Sequence, residues 1–77
     1  MTLKIISAEK IVYEGEVEMV TLPGEKGLFT VLPHHASLIS TLLPGKISYR
    51  AGDELYSNQI GGGIVSVDRD VVSVCVY

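Results

Sequence analysis

Seventy-seven residues predict one all-β domain, a sandwich or barrel. Three observations carry this reading. Apolar and polar residues alternate with a period of two along most of the chain. Turn-forming residues interrupt that alternation at short, regular intervals, and no stretch of about ten residues has helical periodicity.

The elements follow in order. Leu3 to Ile6 and Lys10 to Tyr13 read as short strands. Val17, Met19 and Thr21 are expected on one strand face and Glu14, Glu16 and Glu18 on the other. Leu28 to Leu32 is a further strand. Ala36 to Leu43 stops at Pro44 and contains Ser37, Ser40 and Thr41, so it is expected to be extended, or one turn at most. Lys46 to Ala51 alternates without a break and places Ile47, Tyr49 and Ala51 together. Glu54 to Ile60 and Ile64 to Asp68 follow. Val71 to Tyr77 then sets Val72, Val74 and Val76 on one face, with Ser73 and Cys75 on the other. Gly15, Pro23-Gly24, Pro44-Gly45, Gly52-Asp53, Gly61-Gly62-Gly63 and Asp68-Arg69-Asp70 supply the turns.

Composition narrows the function. With 47% hydrophobic and 19% charged residues the chain is a folding one. A net charge of −3 without a basic stripe argues against nucleic acid or an anionic lipid surface as the main partner. Cys75 is the single cysteine, so an internal disulfide is impossible; its thiol is expected to be buried and inert in a reducing setting. No signal segment opens the chain and no apolar run approaches membrane-spanning length, so membrane association is expected only through a partner.

The chemistry-bearing residues do not assemble into a catalytic pattern. His34 and His35 are adjacent, which on an extended chain points them to opposite sides and away from a shared metal. The glycines of Pro23-Gly24-Glu25-Lys26-Gly27 and of the triple glycine lack phosphate-loop spacing and a following helix. They are expected to permit turns, bulges and close backbone approach. Glu14, Glu16 and Glu18 form no enclosed acid/base pair, and no nucleophile elbow is present. No cofactor and no metal is expected. The domain works by binding other proteins.

The run from Val20 to Ile39, VTLPGEKGLFTVLPHHASLI, closely resembles the signature of the ε subunits of F-type ATP synthases, which are the δ subunits of mitochondrial enzymes. Gly27, Val31, Pro33, His35, Ala36 and Leu38 carry the match. Ser7-Ala8-Glu9, Gly15, Leu43-Pro44-Gly45, Gly62-Gly63-Ile64, Val67 and Val71 extend it over the chain. Thr30 and His34 stand where the family usually has glycine, Ser37 where it has proline, and Leu28 where many members are acidic.

The resemblance implies a flattened β-sandwich of about eight to ten short strands. Most members continue into a helical hairpin, and this chain is expected to comprise the sandwich without it. The implied role is that of a rotor subunit in the central stalk. It binds the γ subunit and the c-ring, couples ion-driven rotation to ATP synthesis, catalyses nothing itself and lacks the helical route to inhibiting hydrolysis. Ser7, His35 and Ser40 would face γ; Glu25, Lys26, Gly27 and Leu28 would lie at the loop nearest the ring. The resemblance further implies a peripheral position on the cytoplasmic side of a bacterial membrane, and the isolated chain is expected to be monomeric. Read without it, the residues equally fit a free-standing β-sandwich module with an unrelated partner, His35 as an edge packing residue and Ser7 as a turn residue.

Overall fold

The computed structural model describes all residues from Met1 to Tyr77. Nine strands and no helix follow one another: β1 (Thr2–Ser7), β2 (Ile11–Glu16), β3 (Met19–Gly24), β4 (Gly27–Val31), β5 (Leu38–Leu42), β6 (Gly45–Ala51), β7 (Glu54–Ile60), β8 (Gly63–Asp68) and β9 (Val71–Val76). They pair in the order β2-β1-β9-β8-β5-β3-β6-β7, with β4 added alongside β3. The sheet folds over on itself between β5 and β3, whose single ladder pair is Gly24 opposite Leu42. One layer is therefore β2-β1-β9-β8-β5 and the other is β4-β3-β6-β7, the expected sandwich. Every pairing is antiparallel except that of β1 with β9, which joins the first strand to the last.

The core lies between the layers. Leu3, Ile5, Val65, Val67, Val72 and Val74 from one layer cluster with Val20, Leu22, Val31, Ile47 and Tyr49 from the other, all buried. β-Branched residues dominate this set, because their restricted side chains pack well on a pleated surface. The side of the sandwich away from the Gly24–Leu42 fold is closed by aromatic rings. Tyr13 of β2 lies 4.5 Å from Tyr49 of β6, and Tyr49 lies 5.5 Å from Tyr56 of β7, centroid to centroid. Burial pushes the Tyr49 hydroxyl pKa upward, partly offset by its hydrogen bond with Asn58.

The structure corrects the sequence reading in four places. First, the alternation of Val17, Met19 and Thr21 is interrupted. Val17 is buried, but the inward residues of β3 are Val20 and Leu22, while Met19 and Thr21 are half-buried. The Val17 N–H donates to Met1 O (2.8 Å) and the Glu18 N–H to Arg50 O (2.9 Å), and this break between β2 and β3 resets the phase by one residue. Second, Glu14 and Glu16 therefore share β2, but Glu18 leaves their face and its carboxylate accepts the Gly52 N–H at 3.0 Å. Third, the chain at His34 is a turn with φ of 67°, not an extended segment. Fourth, Cys75 is exposed. Its neighbours Val74 and Val76 take the inward phase, which turns the thiol to the outer surface.

The triple glycine allows backbones to approach. The Gly61 N–H donates to Tyr77 O (2.8 Å) and the Tyr77 N–H to Gly62 O (3.1 Å), and a Cβ at Gly63 would overlap the Cys75 carbonyl oxygen. Gly63→Ala is expected to cost about 3 kcal/mol, as overpacking a closed site does. Gly52→Ala, at φ of +64° in open space, is expected to cost about 1 kcal/mol. Urea denaturation of the two variants checks the ranking.

Candidate docking surface

The inward phase of each strand fixes what its other phase presents. Ile64 of β8 lies opposite Cys75 of β9, Cys75 opposite Ile6 of β1, and Ile6 opposite Ile11 of β2. This row crosses four strands on the outer surface, and Thr41 of β5 continues it beside Ile64. Ile39, two residues before Thr41 on β5 and in the same phase, is 78% exposed; Ile11 is 60% and Ile64 52% exposed. A contiguous apolar band of this kind on an outer sheet face marks a place where another surface packs.

The other layer is different. Thr30 of β4 lies opposite Thr21 of β3, Thr21 opposite Ser48 of β6, and Ser48 opposite Ser57 of β7, so its outer face carries a row of hydroxyls. Thr21 and Thr30 share a hydrogen bond of 3.0 Å. The outer face of the first layer thus carries an isoleucine row bordered by Lys4 and Glu14, and that of the second a hydroxyl row with Leu28 and Leu55 exposed near its ends.

The β3–β4 hairpin projects at one end of the molecule. Glu25 and Lys26 form its turn, Gly27 takes φ of 118°, and Leu28 is 73% exposed. The hairpin is braced from behind, because the Leu43 N–H donates to Pro23 O at 2.8 Å and Gly24 pairs with both Gly27 and Leu42. A Cβ at Gly24 would come within 2.8 Å of the Phe29 ring, so a side chain there would displace that ring. Ser40 lines a shallow groove with this hairpin, so the structure brings Ser40 together with Glu25, Lys26, Gly27 and Leu28. Its hydroxyl donates to the Thr41 carbonyl oxygen at 3.1 Å.

Ser7 and His35 lie apart, at opposite ends of the β2-β1-β9-β8-β5 layer. Ser7 ends β1; its Oγ accepts the Lys10 N–H (3.3 Å) and donates to Lys10 O (3.3 Å), which builds the turn into β2. His35 is exposed in the β4–β5 loop, with Nδ1 2.6 Å from the Ala36 carbonyl oxygen. The sequence reading missed Ile11, Ile39 and Ile64. For two of them the signal was there: β5 and β8 put isoleucine on the phase opposite to their inward residues.

At the His35 end, carboxylates tie loops together. The His34 N–H donates to Asp70 Oδ1 at 2.9 Å and the Ser37 hydroxyl to Asp68 Oδ1 at 2.9 Å. The Met1 ammonium lies 3.5 Å from both Glu16 and Asp70 carboxylates. The His34 N–H, then the ammonium, holds the Asp70 carboxyl below its usual range; for Glu16 the Thr2 hydroxyl does so first, then the ammonium. No group of three or more His, Cys, Asp or Glu side chains converges to hold a metal ion.

A depressed carboxyl stabilises the fold while ionised. Its contribution is complete above the ordinary value of about 4 and disappears as pH falls through the lower folded value. Stability is therefore expected to decline as pH drops below about 4. Asp70→Ala is expected to be the less stable form at neutral pH and to approach the wild type once the Asp70 carboxyl of the wild type is protonated. Urea midpoints measured from neutral to strongly acidic pH check both.

The family described as "ATP synthase, Delta/Epsilon chain, beta-sandwich domain" matches residues 1–77. The ATP synthase epsilon chain of Leptospira borgpetersenii serovar Hardjo-bovis is 39% identical over 74 residues, 96% of this chain and 58% of the relative. The epsilon chain of Dehalococcoides mccartyi is also 39% identical over 74 residues, covering 96% and 53% of the two chains. The chain thus spans little more than half the length of these curated relatives. Two solved structures share the fold. A chain of the Tetrahymena thermophila mitochondrial ATP synthase central stalk and c-ring superposes with a TM-score of 0.84 at 13% identity, over 97% of this chain and 61% of that one. A chain of the Euglena gracilis mitochondrial ATP synthase does so at 0.90 and 22%, over 96% and 48%. With the whole of its length matched, the chain belongs to the delta/epsilon family of ATP synthase subunits through their β-sandwich domain.

Proposed function

We propose that this chain serves as the docking sandwich of an ε subunit in the rotor of an F-type ATP synthase. It packs its apolar outer face on the γ subunit and turns its β3–β4 hairpin toward the c-ring, so that ion-driven rotation of the ring is passed to the catalytic head. The observation that carries this reading is the isoleucine row: Ile11, Ile39 and Ile64 are exposed around Cys75 on the outer side of one layer, whereas the middle of the other layer's outer face carries hydroxyls. A rigid two-layer sheet transmits torque by contact and requires no nucleophile, cofactor or metal.

Within this reading Ser7, His35 and Ser40 sit around the γ-facing layer, at its two ends and on its β5 strand. Glu25, Lys26, Gly27 and Leu28 offer the ring an exposed leucine on a braced hairpin. The subunit couples and assembles without catalysing, and it reaches the cytoplasmic side of a bacterial membrane through its complex. Restraint of hydrolysis by helices is assigned to no part of these 77 residues, which form none.

Binding to the cognate γ subunit, measured by calorimetry, tests the proposal. An interface of roughly 1,500 Å² or more is expected for such a pair. Ile64→Lys is expected to weaken binding by roughly thirtyfold or more, the loss typical of a central anchor. Ser57→Lys on the hydroxyl face should leave it unchanged, and Leu28→Asp should impair only assembly onto the c-ring. Absence of γ binding by the wild type, or equal losses from Ile64→Lys and Ser57→Lys, contradicts the reading. An unchanged affinity in His35→Ala would remove His35 from the contact and leave the rest.

A further inference from the structure

The chain has three non-glycine residues at positive φ: His34 (67°), Arg69 (49°) and Asp70 (63°). All three lie in two loops, the β4–β5 loop and the β8–β9 turn. The left-handed region is disfavoured for residues with a Cβ, less so for His and Asp than for most, and local hydrogen bonds help to hold a residue there. Packing cannot impose it on the β4–β5 loop, because Leu32, Pro33, His34, His35, Ala36 and Ser37 are all exposed. What remains is hydrogen bonding. Within the loop the His35 N–H donates to Leu32 O at 3.2 Å. From outside, Asp70 Oδ1 accepts the His34 N–H and Asp68 Oδ1 accepts the Ser37 hydroxyl, each at 2.9 Å. The β8–β9 turn is itself anchored, since the Asp70 carbonyl oxygen accepts the Thr2 N–H of β1 at 3.0 Å.

We propose that Asp70 is a positioning residue for docking: by accepting the His34 N–H it holds the β4–β5 loop in the one conformation that presents His35 and the start of β5 to the partner. This rests on the proposed docking of the β2-β1-β9-β8-β5 layer on γ. The loop leads directly into Leu38–Leu42, and Ile39 is the most exposed isoleucine of the apolar band. Asp68 assists through Ser37. Asp70 touches no partner in this scheme; it acts through the loop, at a sequence separation of 36 residues from His34.

Two substitutions in the full chain separate the roles of the carboxylate. Asp70→Ala removes the acceptor, whereas Asp70→Asn keeps a carbonyl oxygen for the His34 N–H while losing the charge near the Met1 ammonium. Hydrogen exchange at the His34 amide reads the loop, calorimetry with γ reads docking, and the thermal midpoint verifies folding. Asp70→Ala is expected to accelerate His34 exchange and to weaken γ binding, each by roughly tenfold, the loss expected of a charge-assisted hydrogen bond. Asp70→Asn, which keeps a neutral acceptor, should show a smaller loss of about threefold in both. Unchanged His34 exchange in a folded Asp70→Ala overturns the proposal. Faster exchange with unchanged γ affinity, while Ile64→Lys still weakens binding, overturns it too and leaves the docking face standing. If the wild type fails to bind γ although its His34 amide is protected, the docking reading fails and the proposal falls with it.

Discussion

Ile5, Val74 and Val65 lie opposite one another on β1, β9 and β8, all fully buried. This row sets the phase of the layer. Because side chains alternate across a sheet, the residues one step along, Ile6, Cys75 and Ile64, must face outward. A slip of one residue would exchange the two sets and drive a thiol and two isoleucines into space shaped for one isoleucine and two valines. The parallel pairing of the first strand with the last locks this register across the middle of the layer. The outward placement of Ile6, Cys75 and Ile64 is thus a consequence of the core: it cannot be moved without unmaking the fold.

The rest of the molecule is arranged around that constraint. The sheet folds once, at Gly24 and Leu42, and the same corner braces the hairpin that carries Glu25 to Leu28. Tyrosines close the opposite side. Carboxylates fasten the loops at the end where neither layer reaches. Stiffness comes from the layers and presentation from the loops, a division of labour that fits the proposed role of passing force between neighbours.

The fold was legible where local pattern decides it. Ile47, Tyr49 and Ala51, or Val72, Val74 and Val76, could be assigned from alternation alone, because each strand buries one phase. The break at Val17 and Glu18 was not legible, since it depends on hydrogen bonds to Met1 and Arg50, residues distant in sequence. Cys75 illustrates a second limit. Its phase was correctly opposed to the valines, but alternation cannot say whether that outer side is covered. The family-derived contact residues were read from a motif, and the structure scatters them: Ser40 beside the hairpin, Ser7 in a turn, His35 at the far end. The apolar band emerges only when the register of five strands is known. The bond between His34 and Asp70 spans chain separation that no local pattern encodes.

The exposed thiol provides the most direct test of the account, because Cys75 lies between Ile64 and Ile6 in the middle of the proposed docking face. Maleimide labelling of the free chain should be rapid, and saturating γ subunit should suppress it strongly. A cysteine introduced at Ser57, on the hydroxyl face, should label equally fast with and without γ. Undiminished labelling of Cys75 in the complex, with protection of position 57 instead, would contradict the account.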